Sequence, residues 1–201
     1  MCASYEARFN VREIVDLFSR IGAPLDVTGG LPNLAPVDEI RPTDTAPAVR
    51  VDADGRARLT KMRFGFPPPR PKAGPIVNFR SEGRGFGNGP RRGRCLVPVS
   101  GFYEFTGDRY PKTRWIFRDP VEPFLALAAV WRAGEGADAF SLLTAEPGPD
   151  VAPYHDRGVL PLPPDRWADW LFDRAPSEAL LVPPPAGALV VEAAPRPPKS
   201  A

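Results

Sequence analysis

Val11, Ile14, Val15, Phe18 and Ile21 recur at three- and four-residue spacing, which places them on one face of a helix. Asn10 stands just before that run and Glu13 three residues later, the pattern of a capping box, and Gly22 supplies a stop. After Gly22 the helical period is lost. Residues 23–47 carry Gly29-Gly30 and prolines at 24, 32, 36, 42 and 47, and read as irregular. Val49–Val51 and Ala57–Phe64 flank Asp52-Ala53-Asp54-Gly55 and predict a hairpin. The prolines from Pro67 to Pro71 exclude regular structure. Short apolar runs then predict strands at Ile76–Asn78, Cys95–Val99, Phe102–Phe105, Thr113–Phe117, Phe124–Trp131, Phe140–Thr144 and Gly158–Leu162, with a turn at Thr106–Arg109. A second helix is predicted over Pro164–Asp173, with Trp167, Trp170 and Leu171 on one face. A helical turn at Ser177–Leu181 and a last strand at Leu189–Glu192 follow.

Many short strands with two or three helices predict an α+β fold, a β-rich, barrel-like single domain over residues 1–192. The Pro-rich end, 193–201, is expected to be a disordered tail. The 201 residues suffice for one domain with a core, and 28 prolines and 18 glycines suit short elements joined by turns. A net charge of +2 implies no partner by itself. The two cysteines, Cys2 and Cys95, form no disulfide scaffold and suit a reducing cytoplasm. The start, MCASYEARFN, lacks the apolar region of a secretion signal, and no apolar run approaches the roughly 18 residues of a membrane span. A cytoplasmic monomer with no membrane association is expected.

Four residues carry candidate chemistry. Removal of Met1 would make Cys2 the N-terminus, with an α-amine and a thiol two carbons apart. The amine titrates near ~7.7–8.0, so part of it is neutral and nucleophilic at neutral pH. Such an aminothiol condenses with an aldehyde and closes to a five-membered thiazolidine. His155 is the sole histidine and so the one side chain with an unperturbed pKa suited to acid–base work near neutrality. Its neighbour Asp156 is not expected to pair with it, since adjacent residues on extended chain point oppositely. Glu104, among the aromatics of Gly101–Phe105, must be paired or neutral if buried, and would accept a proton from an incoming amine. Asn78 ends an apolar run, where its amide can donate and accept at once. The stretch Arg80–Arg94 sets Arg80, Arg84, Arg91, Arg92 and Arg94 against one acid, Glu82, with Phe79, Phe86 and five glycines, a composition suited to tracking a nucleic-acid strand. Each has an ordinary alternative: an incidental Cys2, a solvated His155, an exposed strand Glu104, a turn Asn78, a solvated basic loop. Two separated cysteines and one histidine do not make a closed zinc site, and no phosphate loop or dinucleotide fingerprint is present, so no metal or cofactor is expected.

Taken in order, Met1-Cys2, Asn33-Leu34-Ala35-Pro36, Arg63-Phe64-Gly65-Phe66, Val77-Asn78-Phe79-Arg80-Ser81-Glu82, Arg94–Pro98, Gly101–Phe105, Leu143–Glu146 and His155-Asp156-Arg157 with Val159–Leu162 resemble the SOS response-associated peptidase (SRAP) family. The resemblance runs from residue 1 to about residue 175. It implies a β-rich barrel-like fold with a positively charged groove for single-stranded DNA, and covalent capture of abasic sites in that DNA. By similarity, Cys2 would be the nucleophile and Asn78 would position it and the opened sugar. Glu104 would handle protons at the amine. His155 would serve ring opening, Schiff-base formation and reversal. Arg80 and Arg157 match positions that hold DNA phosphates, Thr144 lines the same groove, and Arg84 matches through the glycine-rich loop. The chain departs from the family at Ala3-Ser4, where Gly-Arg is usual, and at Phe64, where Trp is usual. It departs again at Pro67–Arg70, in place of an aromatic wedge, and at Phe79, in place of a small residue. These changes bear on DNA affinity and strand-junction preference. Two other readings use the same residues: a Cys2-dependent autopeptidase whose necessary reaction is release of Met1, and a non-catalytic single-strand-binding module.

Overall fold

The protein is represented by a computed structural model that describes residues 4–194. Cys2, the first catalytic candidate, and the end of the tail from Pro195 lie outside the described residues. In chain order the elements are β1 (Tyr5–Ala7), α1 (Val11–Arg20), β2 (Val37–Ile40), β3 (Thr45–Val51), β4 (Ala57–Phe64), β5 (Asn78–Arg80), β6 (Arg92–Val99), β7 (Gly101–Thr106), β8 (Thr113–Arg118), β9 (Leu125–Arg132), β10 (Ala139–Ala145), β11 (Gly158–Val159), β12 (Pro161–Leu162), α2 (Trp167–Leu171), α3 (Ser177–Leu180) and β13 (Val190–Ala193).

Two sheets share the core. One has five strands in the order β13-β8-β7-β1-β2. The other has eight, and within it β10-β4-β3-β6-β9 closes into a ring because β9 pairs back onto β10. β5 and β11 attach to β10 outside this ring, β5 in parallel. The architecture is therefore the strand-rich, partly closed barrel in a single domain that the sequence predicts. β9 and β10 are buried on both faces, which explains their unbroken apolar sequence. Phe64 and Phe140 stack at 5.3 Å in the core, and Tyr5 meets Phe64 edge-on at the same separation.

The helix α1 forms as its spacing predicts. Asn10 Oδ1 accepts the Arg12 and Glu13 amides at 2.9 and 3.1 Å, and Glu13 Oε2 accepts the Asn10 amide at 2.7 Å. Its face of Ile14, Leu17 and Phe18 is buried, with Phe18 against Trp167 of α2 at 4.8 Å.

Three expectations are corrected. Residues 23–47 hold β2 and the start of β3; β2 buries only Ile40, so it shows no alternation. β3 admits Pro47 because its second ladder, to β6, involves only Val49 and Arg50. The strand expected at Ile76–Asn78 begins at Asn78, since Ile76 instead bridges Phe66 and closes the proline loop at its base. Gly65 permits this closure: its φ is +96°, and a Cβ there would lie 2.9 Å from Val77 Cγ1. The second helix is a 3-10 turn at Pro164–Arg166 followed by α2, which ends at Leu171.

Candidate active site

The strand pairings carry Asn78 and His155 to the two flanks of β10. On one flank β5 runs parallel to β10, with Asn78 opposite Leu142 and Arg80 opposite Thr144. On the other, β11 pairs Val159 with Thr144, and the loop 151–157 arrives just before it. Thr144 is a junction: its carbonyl accepts the Ser81 amide and hydroxyl, each at 3.0 Å, and Arg157 Nη2 at 2.9 Å.

The same loop reaches the other sheet. Tyr154 sets its ring against Trp115 at 4.9 Å and Phe117 at 5.3 Å. Trp115 is the cross-strand partner of Glu104. The His155 loop thus spans the gap between the strand of Asn78 and the strand pair of Glu104. Glu104 is only 1% exposed. The described chain enters beside it: Tyr103 N–H donates to the Ser4 carbonyl at 3.1 Å.

His155 sits in a turn, with its amide bonded to the Val151 carbonyl at 3.0 Å. This overturns the expectation about Asp156: because the chain is not extended here, Asp156 Oδ1 lies 2.8 Å from His155 Nδ1. The Arg157 amide also donates to Nδ1, at 2.9 Å. The two contacts suit different protonation states. Nδ1 accepts the amide only when it carries no proton, and meets Asp156 best when it does. Burial lowers the His155 pKa, which favours the neutral ring and with it the amide contact.

The basic stretch divides. Arg80, Arg84, Arg91 and Arg92 are exposed, and among the described residues none forms an ion pair. Arg84 lies over the Phe79 ring at 4.7 Å, and Phe79 meets Phe86 edge-on at 6.3 Å. Arg132, at the end of β9, adds a further guanidinium with no ion pair among the described residues, 4.6 Å over Phe66 and 6.0 Å from Phe79. Arg84, Arg91, Arg92 and Arg132, with Phe79 and Phe86, line an open trough of about 1070 Å³ that runs past Gly93 to Trp131; Arg80 is not part of its lining. Arg94 does not belong to it. It is 2% exposed, bonds the Phe86 and Ala175 carbonyls, pairs with Asp173 at 2.8 Å and stacks on Trp170, so its charge is spent inside the fold.

Arg157 and Thr144 meet, but Arg157 is committed. Its guanidinium takes Glu82 in a two-pronged pair, with Nη2 to Oε2 at 2.8 Å, and Thr144 is buried beneath it. The sequence marks Glu82 as the lone acid of a basic stretch and the end of a family fragment, and it gives no sign of Arg132, which ends an apolar strand and carries no motif. Cys95 is no alternative nucleophile: it is fully buried on β6 and burial pushes its thiol far up. Among the described residues no cluster of His, Cys, Asp and Glu is placed to hold a metal ion, and no helix is long and apolar enough to cross a membrane.

This strand-rich barrel, with a histidine loop bridging two sheets and an arginine–aromatic trough that reaches Phe79, matches a known class of proteins. The family model for SOS response associated peptidase (SRAP) matches residues 1–194, and the chain belongs to that family. Two solved structures from Bordetella bronchiseptica superpose on it. One is described as a protein (22% identity, 97% of this chain and 100% of that chain, TM-score 0.70), the other as a phage-related protein (18% identity, 97% and 95%, TM-score 0.71). A protein from Bacteroides thetaiotaomicron does so at 14% identity over 96% of this chain and 91% of that chain, with TM-score 0.67. At these identities the likeness concerns the fold. No curated protein matches the chain. Family membership supports a role associated with DNA damage, and the family is linked to DNA binding in general.

Proposed function

We propose that this protein binds single-stranded DNA along the arginine–aromatic trough and captures abasic sites covalently through Cys2 once Met1 is removed. The observation that carries the reading is the convergence at the chain's entry. Ser4 is hydrogen-bonded to Tyr103, next to buried Glu104 on β7, and Glu104's cross-strand partner Trp115 packs on Tyr154, the neighbour of His155. Cys2 is two residues from Ser4, at most about 7 Å of extended chain.

The chemistry assigns each group a task. An abasic sugar is mostly a closed hemiacetal, and His155 moves the proton that opens it to the aldehyde. The Cys2 amine adds to that carbon and water leaves, giving an imine; Glu104 takes the proton that would otherwise hold the amine as ammonium. The thiol sulfur then adds to the imine carbon while its proton passes to the nitrogen, which closes the thiazolidine. Ring closure withdraws the imine from β-elimination, so the strand stays intact. Asn78 is assigned to orient the sugar and the N-terminal residue. Arg80 and Arg84 take phosphates, and Phe79 offers a face for a base.

The test is a denaturing gel of Met1-processed protein with single-stranded DNA carrying one abasic site, beside intact DNA and Cys2→Ala. A heat-stable slow band only with wild type and abasic DNA is expected. Equal binding of intact and abasic strands by fluorescence anisotropy, without any such band, would leave a binding module, and Met1 release without DNA binding would leave an autopeptidase.

A further inference from the structure

An abasic site inside a strand has a nucleotide on each side, and the trough accounts for one of the two flanks. Its lining is Phe79, residues 84–93 and residues 130–133, all on or between strands of the eight-stranded sheet. It reaches the candidate site at Phe79, beside Asn78. The opposite edge of the site belongs to the five-stranded sheet, at the β7–β8 hairpin. Glu104 and Thr106 share one face of β7, two residues or about 7 Å apart. Their partners on β8, Trp115 and Thr113, share that face. Trp115 Nε1 donates to Thr106 Oγ1 at 2.8 Å, and the Trp115 ring packs on Tyr154, the neighbour of His155. Beyond Thr106 the chain runs out into Gly107-Asp108-Arg109-Tyr110-Pro111-Lys112, exposed throughout. Lys112 comes near enough to His155 for its charge to oppose protonation of the ring.

Tyr110 is 78% exposed, whereas every other aromatic ring of the described residues is buried or half-buried. Arg109 and Lys112 flank it against one acid, Asp108, and neither cation forms an ion pair among the described residues. A ring with cations beside it is the combination that Phe79 and Arg84 make on the other sheet. Rings of this kind take bases of any sequence, and the cations take phosphates. We propose that the β7–β8 hairpin is a second strand-binding surface, across the site from the trough: Tyr110 stacks on a base, and Arg109 and Lys112 hold phosphates, of the flank that the trough does not take. The proposal rests on the reading that the protein binds single-stranded DNA around an abasic site. Held on both sides, the abasic sugar cannot slide past Asn78 and His155, so binding of the flanks is turned into orientation of the reacting carbon.

The test separates the flanks. Three single strands carry a stable abasic analogue without an aldehyde, so that no crosslink forms. One has about eight nucleotides on both sides of the analogue, one has them on the 5′ side only, and one on the 3′ side only. Binding to the full chain is read by fluorescence anisotropy. Tyr110→Ala is expected to weaken binding of the two-sided strand and of one single-sided strand about fivefold, and to leave the other unchanged within about twofold. Arg109→Gln with Lys112→Gln is expected to weaken the same flank and to flatten its log–log salt dependence by about 1.4. Arg84→Gln with Arg132→Gln is expected to spare that flank and weaken the opposite one. Hairpin variants that bind all three strands as wild type does, the result if Tyr110 docks a protein instead, overturn the proposal. An equal loss on both flanks, or a loss on the flank that the trough variant loses, overturns it too. Thermal unfolding establishes that each variant folds, and the charge variant, which keeps Tyr110, decides the question if Tyr110→Ala does not. Wild type that binds none of the strands would sink the proposed function itself, whereas binding by wild type without a flank-specific loss sinks the hairpin alone.

Discussion

Two arginine-rich surfaces adjoin at Trp131, and they use the same side chain oppositely. On the β3–β4 hairpin, Arg50 pairs with Asp52 and Asp138, Arg56 with Asp26, and Arg58 with Asp26, Asp52 and Asp54. Asp26 is held well below the usual carboxylate range by the Thr28 hydroxyl and amide and by Arg58. On the glycine-rich side, Arg80, Arg84, Arg91, Arg92 and Arg132 have no carboxylate partner among the described residues, and two of them lie over phenylalanine rings. Most of these pairs are partly buried and share partners in one network, so the charge of the first surface is neutralised within the fold. The second leaves its field uncompensated, which is what attracts a polyanion. A net charge of +2 conceals this division, because it averages a neutralised surface with an open one.

The comparison breaks most clearly on the open side. Replacing Arg84, Arg91, Arg92 and Arg132 together by Gln should weaken single-stranded DNA binding about 100-fold at moderate salt and flatten the salt dependence by up to about 3. Replacing Arg56 and Arg58 should change binding less than about twofold; equal losses from both surfaces would refute the division. Phe79→Ala should cost about 1–3 kcal/mol of binding, measured by fluorescence anisotropy with undamaged strands, if a base stacks there. Asp52→Asn sharpens the contrast from the other side. It should release part of the Arg50 and Arg58 charge and strengthen binding by no more than about threefold. Asn10→Ala, remote from both surfaces, should cost about 1 kcal/mol of stability by thermal or urea unfolding and leave DNA binding unchanged.

The pH responses also separate the groups. Arg157 pushes the Glu82 carboxyl down to about 2. Its pKa is lowered on folding, so the stabilisation is present above the ordinary glutamate value and fades as pH falls toward 2. The Glu82–Arg157 pair should therefore survive at pH 4. His155 is shifted down by burial, so the unfolded chain takes up its proton first and stability falls as pH drops through the ordinary histidine value, about 6.5. An NMR titration of His155 should give a midpoint below 6.5.

The capping box of α1, the β3–β4 hairpin and the long apolar strands were legible because local pattern alone decides them. β1 was not, since it is buried at all three positions, Glu6 included, and shows no alternation. Glu6 is tolerated there because Tyr103 and Arg118 bond it, a partnership spanning some hundred residues that no local window contains. The candidate site is an expectation from residue types in order, carried by the resemblance to a family. What the sequence hid was partnership. Arg94 reads like its neighbours yet is buried against Asp173 and Trp170, and Asp156 reads as turned away from His155 yet meets it in a turn. Both depend on contacts or backbone bends that spacing does not encode.

The most direct test of the account is peptide mapping by mass spectrometry of the product from Met1-processed protein and single-stranded DNA bearing one abasic site. The account predicts that the sugar remnant sits on the N-terminal peptide at Cys2, joined through both nitrogen and sulfur, with the DNA strand uncut. Attachment at a lysine, or an N-terminal peptide left unmodified after prolonged incubation, would contradict it.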